Sequence, residues 1–184
     1  MNIGRRAMLG RTGALLTGAS LLGFGGLARA STLPQTRRLV FDNLHTGETL
    51  DVAYWEGGAY APEALAAVNH VLRDYRNGES HAIEPTLLDL LAALSVRLEA
   101  APRFGVISGY RSPATNAMLH EHSGQVASGS LHVKGMAIDI RVAGCDVDRV
   151  RDAALSLQLG GVGYYPASDF VHVDVGRVRR WSGA

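Results

Sequence analysis

The run from Met136 to Val142 constrains the fold of this chain more than any other segment. Its apolar residues alternate with other residue types, and this period of two predicts a β-strand with one apolar side. Asp139 lies in the middle of the run and points to the opposite side. A carboxylate in such a strand is costly to bury unless it is paired or bound to a metal. The run therefore predicts a sheet with one apolar face and marks Asp139 as a candidate functional residue.

Strand and helix patterns follow one another along the rest of the chain without a regular β-α-β rhythm. Further strands are predicted at 38–44, 48–55, 104–108, 162–165 and 170–175. Helices are predicted to begin at Pro62, Pro85, Ser112 and Asp146, and the first of them to end near Gly78. The Gly- and Ser-rich residues 123–130 predict a loop. This mixture indicates the α+β class.

Residues 1–30 are predicted to be a signal peptide. They combine a basic start, an apolar middle rich in Gly, Ala and Leu, and an Ala28-Arg29-Ala30 end. The pair Arg5-Arg6 resembles a twin-arginine signal, which implies export to the periplasm of a protein that is already folded. An uncleaved membrane anchor is the alternative. Residues 31–184 then form one predicted domain, in which no stretch is long and apolar enough to span a bilayer.

The charge balance and the cysteine content exclude some classes of function. The chain has 18 basic and 17 acidic residues. Taking away the four arginines of residues 1–30, which hold no acidic residue, leaves 14 basic against 17 acidic residues, a net charge of −3. A mildly acidic domain argues against a nucleic-acid partner. The lone Cys145 excludes an internal disulfide and argues against a thiolate metal cage, so we expect a small buried apolar residue there.

Three residues form a candidate metal-ligand set. His132 precedes Asp139 by seven positions, and His172 lies in a later strand, in the run Phe170-Val-His-Val-Asp174. Taken singly, each is explained by an ordinary hydrogen bond or salt bridge. Together, two imidazoles and one carboxylate suit Zn²⁺ and leave a fourth position open, which is the arrangement of a hydrolytic zinc site.

Several local segments resemble the LAS metallopeptidases, a superfamily of D-alanyl-D-alanine carboxypeptidases, dipeptidases and murein endopeptidases. The matching segments are Ile107-Ser-Gly-Tyr-Arg-Ser112 with Asn116, Ser130-x-His132-x-x-Gly135-x-Ala137-x-Asp139, Gly160-Gly-Val-Gly-Tyr-Tyr-Pro166, Phe170-Val-His172-Val-Asp174-x-Gly176 and Arg180-Trp181. Asn43-Leu-His-Thr-Gly-Glu48 and His70-x-x-x-Arg73-Asp74-Tyr75-Arg76 resemble the murein endopeptidase K branch. The resemblance covers nearly all of residues 37–181. It implies an LAS/hedgehog-type fold, with a small central antiparallel sheet flanked by helices.

The same resemblance implies roles for individual residues. His132, Asp139 and His172 would be the zinc ligands. Arg111 would bind the substrate, together with Ser112 and Asn116. Arg111 would also stabilise negative charge on the scissile carbonyl oxygen, since a guanidinium is always charged and offers several donors. A structural salt bridge is the alternative for Arg111.

The general base is left open between two aspartates. Many relatives have a Glu or a His shortly before the last zinc histidine, and here Asp169 stands three positions before His172. Strand alternation instead favours Asp174, which shares the face of His172. A third alternative is that Asp174 holds the imidazole by a hydrogen bond and leaves the proton transfer to another group.

The resemblance implies a zinc-dependent murein endopeptidase that acts in the periplasm on the peptide stems of peptidoglycan. No nucleic-acid partner is expected, and no membrane association once the signal is removed. The missing Glu supports an alternative, a non-catalytic wall-binding or partner-binding module that keeps the zinc fold. A D,D-carboxypeptidase is a further alternative. The cross-link bond that is cut stays open between D-Ala to diaminopimelate and the direct diaminopimelate link.

Overall fold

The computed structural model describes residues 35–99, 103–122 and 129–183. The predicted signal peptide lies outside these residues. The strands are β1 Arg37–Asn43, β2 Thr49–Glu56, β3 Ala59–Tyr60, β4 Arg103–Ser108, β5 Ala137–Val142, β6 Gly161–Tyr165, β7 Phe170–Asp174 and β8 Arg179–Ser182. The helices are α1 Pro62–Val71, α2 Pro85–Arg97, α3 Pro113–His122 and α4 Val147–Leu157, with a 3₁₀ helix at Leu131–Lys134. The predicted mixture of helices and strands is confirmed.

The sheet is larger than predicted, and it is mixed. The described strands form one eight-stranded sheet in the order β3-β2-β1-β4-β5-β7-β6-β8. Most neighbours are antiparallel, but β1 pairs with β4 and β6 with β8 in parallel. The expectation of a small antiparallel sheet is therefore wrong. The added strands β3 and β8 have two and four residues, too short to show an alternating pattern.

The two faces of the sheet have different roles. Ile138 and Ile140 of β5 are fully buried, and they align with Val173 and Val171 of β7. Helix α2 packs on β1, α4 packs on β5, β6 and β7, and the two helices contact each other. The main hydrophobic core therefore lies between this face and the helices. Asp139 points to the other face, as alternation predicts.

Helix α1 ends earlier than the sequence predicts. It was expected to reach Gly78, but its last helical residue is Val71. In place of the next helical hydrogen bond, the carbonyl of Leu72 accepts one from the backbone N–H of Tyr110, at 2.7 Å, and the backbone N–H of Arg76 donates to Asp74. The residues that follow α1 therefore lie beside the Tyr110 segment.

In the part of the chain that the structure describes, no helix has the length and hydrophobicity needed to cross a membrane. Cys145 is half-buried rather than fully buried, and it packs against the edge of the core.

Candidate metal centre

His132, Asp139 and His172 converge on one point. His132 Nε2 lies 3.1 Å from His172 Nδ1, and Asp139 Oδ1 lies 2.8 Å from His172 Nδ1 and 3.3 Å from His132 Nε2. All three residues are buried. Ligands held at about 2.0–2.2 Å in a tetrahedral zinc site lie about 3.3–3.6 Å apart, so small outward shifts of these side chains would accommodate one ion.

The hydrogen bonds behind the triangle fix which ring nitrogens face it. His132 Nδ1 lies 2.7 Å from the carbonyl oxygen of Gly109, and His172 Nε2 lies 3.0 Å from Asp174 Oδ2. Both partners are acceptors, so each of these nitrogens carries the proton and donates it. The nitrogens that face Asp139 then present lone pairs. Three acceptor atoms turned toward one another could hold a metal ion, and two imidazoles with a carboxylate fit zinc.

Strand register places two of the three residues side by side. Asp139 of β5 is the direct antiparallel partner of His172 of β7, and both side chains point away from the helical face. His132 instead lies on the 3₁₀ helix. The Ser130 hydroxyl caps this helix by accepting a hydrogen bond from the backbone N–H of His132 at 3.3 Å. Gly135 ends this helix in a left-handed conformation with φ of 65°. A Cβ there would also collide with the carbonyl of Ala82, so glycine is required.

A β-bulge in β4 completes this face of the site. Val106 pairs with Ile140, but Ser108 pairs with Asp139, so β4 has one extra residue at Ile107. The extra residue turns Ser108 from the core face to the face of Asp139. The Ser108 hydroxyl then lies 3.3 Å from Arg111 Nη2.

Arg111 lies beside the metal-ligand triangle and is held only loosely. Its Nη2 is 3.7 Å from Asp139 Oδ2, and its Nη1 is 3.4 Å from the Asn116 side-chain oxygen. The residue is 8% exposed, and its buried Nε has no hydrogen-bond partner among the described residues. Burial lowers the pKa of Arg111, and the charge of Asp139 opposes that shift. Such a guanidinium has donor capacity left for an anionic group.

The charges within the triangle are strongly coupled. Burial lowers the pKa of His132, which keeps this ring neutral. Burial acts to raise the pKa of Asp139, but His132 and His172 outweigh it and hold that pKa well below the usual range. Burial likewise acts to lower the pKa of His172, and the carboxylates of Asp139 and Asp174 raise it instead. A negative charge on Asp139 therefore persists in the buried site.

Asp174 lies behind His172, on the side away from the triangle. It has no exposed surface. Its carboxylate accepts from His172 Nε2, from both Nη atoms of Arg179 at 2.9 and 2.7 Å, and from the backbone N–H groups of Gly161 and Gly176. Burial opposes the shift, but these donors hold the pKa of Asp174 well below the usual range. This geometry is that of the third alternative, in which Asp174 orients His172 by a hydrogen bond.

Asp169 has a different environment. It precedes β7 in the turn, with φ of 52°, and its side chain is 67% exposed. Its carboxylate lies 3.4 Å from Arg141 Nε, whose guanidinium also donates to the backbone carbonyls of Ser168 and Asp169. The structure does not include Asp169 in the cluster around the triangle.

Ser112 directly precedes helix α3 and Asn116 lies within it, and both are close to Arg111. Ser112 has no exposed surface. Its hydroxyl accepts from the backbone N–H of Thr115 at 3.1 Å and from the Asn77 side chain at 2.9 Å, so it caps the start of α3. This position favours a structural role for Ser112 rather than contact with a substrate. Asn116 is buried against Arg111.

Trp181, Gly163 and Arg179 border the site, and no role in the site was predicted for them from the sequence. The Trp181 ring lies 5.1 Å from the His172 ring, and a Cβ on Gly163 would come within 2.6 Å of Trp181. Gly163 pairs with both His172 and Trp181 across the sheet. The Arg180-Trp181 match to the LAS metallopeptidases was the one sequence signal for Trp181, because β8 is too short to show an alternating pattern.

Comparisons with known proteins agree with this geometry. The family described as Peptidoglycan L,D-endopeptidase MepK matches residues 31–181. A relative named Peptidoglycan L,D-endopeptidase MepK from Escherichia coli strain K12 is 44% identical over 96% of both chains. A Haemophilus influenzae relative, named Probable peptidoglycan L,D-endopeptidase MepK, is 41% identical over 93% of this chain and 92% of its own. No solved structure gives a significant match.

Proposed function

This chain belongs to the peptidoglycan L,D-endopeptidase MepK family, and from that membership we propose that it is a zinc-dependent enzyme acting on peptidoglycan cross-links in the periplasm. The chain is a peptidoglycan endopeptidase, so it works outside the cytoplasm. We further propose that it binds zinc, that it cleaves an L,D bond and that it is exported by the twin-arginine route. The names of the relatives support the L,D bond.

One observation carries the zinc proposal. Three acceptor atoms from His132, Asp139 and His172 lie within 3.3 Å of one another, and both ring N–H groups are engaged elsewhere. These residues would hold the ion. When bound, zinc would polarise the scissile carbonyl and activate the attacking water.

The chain's own residues supply the rest of the chemistry. We assign Arg111 to the carbonyl oxygen of the scissile bond, where negative charge develops during attack. Its buried guanidinium stabilises that charge more strongly than an exposed one would, because little water competes for it. Asp174 and Arg179 keep the His172 ring in the orientation and tautomer that the site needs. Asn116 holds Arg111 in place.

Purified sacculi provide the test. We expect the zinc-loaded protein to release soluble muropeptides and to bind one zinc per chain. His172→Ala should lose both properties. The control is His70→Ala, which removes an exposed histidine of α1 that pairs with Glu48. Bound zinc without any release of muropeptides would favour the non-catalytic module.

Product analysis separates the remaining alternatives. An endopeptidase converts cross-linked dimers to monomers, whereas a D,D-carboxypeptidase releases single D-alanine residues and leaves the dimers intact. Dimers linked directly between diaminopimelate residues should be cut, and dimers linked through D-alanine should persist. The reverse preference would contradict the assignment to the L,D bond.

A further inference from the structure

The turn that follows α1 is tied to the Arg111 segment. The carboxylate of Asp74 accepts from the backbone N–H of Ser112 at 2.9 Å and from that of Arg76 at 3.1 Å. The Asn77 side chain donates to the Ser112 hydroxyl. Asp74 is 1% exposed, so water does not compete for these bonds. Residues 74–77 and residues 111–112 therefore move as one unit beside the metal centre.

Arg76 carries an exposed positive charge on this unit. Its guanidinium carbon lies 4.2 Å from the centre of the Tyr75 ring, and that ring stacks on His45 with centroids 3.9 Å apart. The two aromatic rings form a platform that limits where the guanidinium can lie. The hydrogen bond from the backbone N–H of Ser112 to Asp74 keeps this platform next to the Arg111 segment.

Within the described residues, the guanidinium of Arg76 pairs with no carboxylate. Among the described residues, Arg97, Arg149, Arg177 and Arg180 also lack such a pair, whereas eight arginines pair with Asp or Glu, namely Arg37, Arg38, Arg73, Arg103, Arg111, Arg141, Arg151 and Arg179. A guanidinium without a carboxylate partner, on a segment tied to that of a second guanidinium, has donors for an anionic group from outside the chain.

We propose that Arg76 binds a carboxylate of the peptidoglycan stem peptide and selects anionic stems over amidated ones. This proposal rests on the proposed function, and it concerns a substrate contact outside the metal ligands and Arg111. Stem peptides offer two sources of the same chemistry, the free carboxylate on the diaminopimelate side chain and the main-chain carboxylate at the end of the stem. A planar guanidinium suits either one.

Kinetics on matched substrates test the proposal. Cross-linked dimers are prepared in three forms, with free diaminopimelate carboxylates, with those carboxylates amidated, and with only the terminal main-chain carboxylate amidated. For the wild type, amidation at the carboxylate that Arg76 binds should raise KM about tenfold, the scale of one charge-assisted contact. Arg76→Gln should raise KM for the free form by a similar factor and remove the difference. Arg76→Lys should restore part of the KM difference between the free and amidated forms. The kcat of both variants should change little.

The control is Arg97→Gln, which removes an exposed arginine at the end of α2 that bonds to Ser156. It should keep the wild-type preference. Zinc content and the melting temperature of Arg76→Gln should match those of the wild type. If the wild type cleaves the free form and Arg76→Gln keeps the full preference, the role of Arg76 is overturned while the proposed function stands. If the zinc-loaded wild type cleaves none of the dimers, the proposed function fails, and the role of Arg76 fails with it.

Discussion

At the scale of single residues, Asp174 acts on the site through His172. Its carboxylate accepts a hydrogen bond from the ring N–H of His172. Four further donor groups, from Arg179, Gly161 and Gly176, hold the carboxylate in place. A carboxylate of this kind sets the ring tautomer and raises the basicity of the opposite nitrogen. Its removal should weaken metal binding without removing a ligand.

Asp174→Ala should therefore lower the zinc affinity by about 10- to 100-fold, because a lost hydrogen bond to a ligand has effects of that size. Competition with a chromophoric chelator measures the affinity. Asp169→Asn is the matched control, since its carboxylate is exposed and pairs with Arg141. We expect wild-type zinc affinity for this control. An Asp174→Ala protein with unchanged affinity would contradict the role assigned to Asp174.

Arg111→Lys keeps a positive charge but loses the planar guanidinium. We expect kcat/KM to fall by about 100- to 1,000-fold, the usual cost of removing one donor to a developing oxyanion. Zinc content should stay at one per chain, because Arg111 is not a ligand. Steady-state hydrolysis of a cross-linked dimer measures the effect, with Arg97→Lys as control. A decrease in kcat/KM of less than threefold would instead favour a structural salt bridge as the role of Arg111.

Part of this residue-level picture follows from the sequence. The period of two predicts correctly that Asp139 points away from the apolar face and that Asp174 shares a face with His172. The sequence does not predict what Asp174 contacts. Its partners Gly161 and Arg179 come from β6 and β8, and only the folded sheet brings them to it.

At the scale of elements, the start of α3 links the metal centre to helix α1. Ser112 caps α3, accepts from Asn77 and donates its backbone N–H to Asp74. This junction positions Arg111 from both sides. A weaker cap should therefore affect stability, and the position of Arg111 with it.

Ser112→Ala should lower the free energy of unfolding by about 1–2 kcal/mol, because it removes an N-cap and leaves the Asn77 amide without that acceptor. Urea denaturation followed by circular dichroism measures the change. The control is Ser95→Ala in α2, where the hydroxyl donates to the carbonyl of Leu91 within the same helix. This second variant should change the free energy of unfolding by less than about 0.5 kcal/mol.

The elements themselves were predicted unevenly. Alternating patterns predicted β5 and β7 close to their observed bounds, and Pro85 correctly predicted the start of α2. The bulge at Ile107 was not predicted, because it is visible only in the register of β4 with β5. The 3₁₀ helix that carries His132 was missed too, since four residues are too few for a periodic signal.

At the scale of the whole molecule, buried and paired carboxylates link stability to pH. The hydrogen bond from Arg103 lowers the pKa of Asp42. Burial opposes the shift at Asp74, but bonds from Thr115 and from the backbone N–H groups of Ser112 and Arg76 lower its pKa too. The unfolded chain then binds more protons than the folded one below about pH 4, so stability falls as the solution becomes more acidic.

We expect the free energy of unfolding to drop as the pH falls below about 4 and through the lowered carboxylate pKa values. Asp74→Asn should be less stable at neutral pH and should show a shallower decline in acid. Urea titrations across this pH range measure both quantities. A decline as steep as that of the wild type would remove Asp74 from this linkage.

Metal removal gives a second test at this scale. A ligand that binds only the folded state stabilises it by about 2.7 kcal/mol at 100 times its dissociation constant. Zinc should therefore raise the melting temperature of the stripped protein, and a chelator should reverse the rise. His172→Ala should show no shift with zinc, whereas His70→Ala should shift as the wild type does. If zinc raises the melting temperature of His172→Ala as much as that of the wild type, the ion binds at another site.

Along β5, neighbouring residues serve different ends. Ile138 and Ile140 pack into the helical core, while Asp139 between them faces the metal centre. Substitutions of Ile138 or Ile140 should therefore change mainly thermal stability, whereas substitutions of Asp139 should change mainly the chemistry of the site.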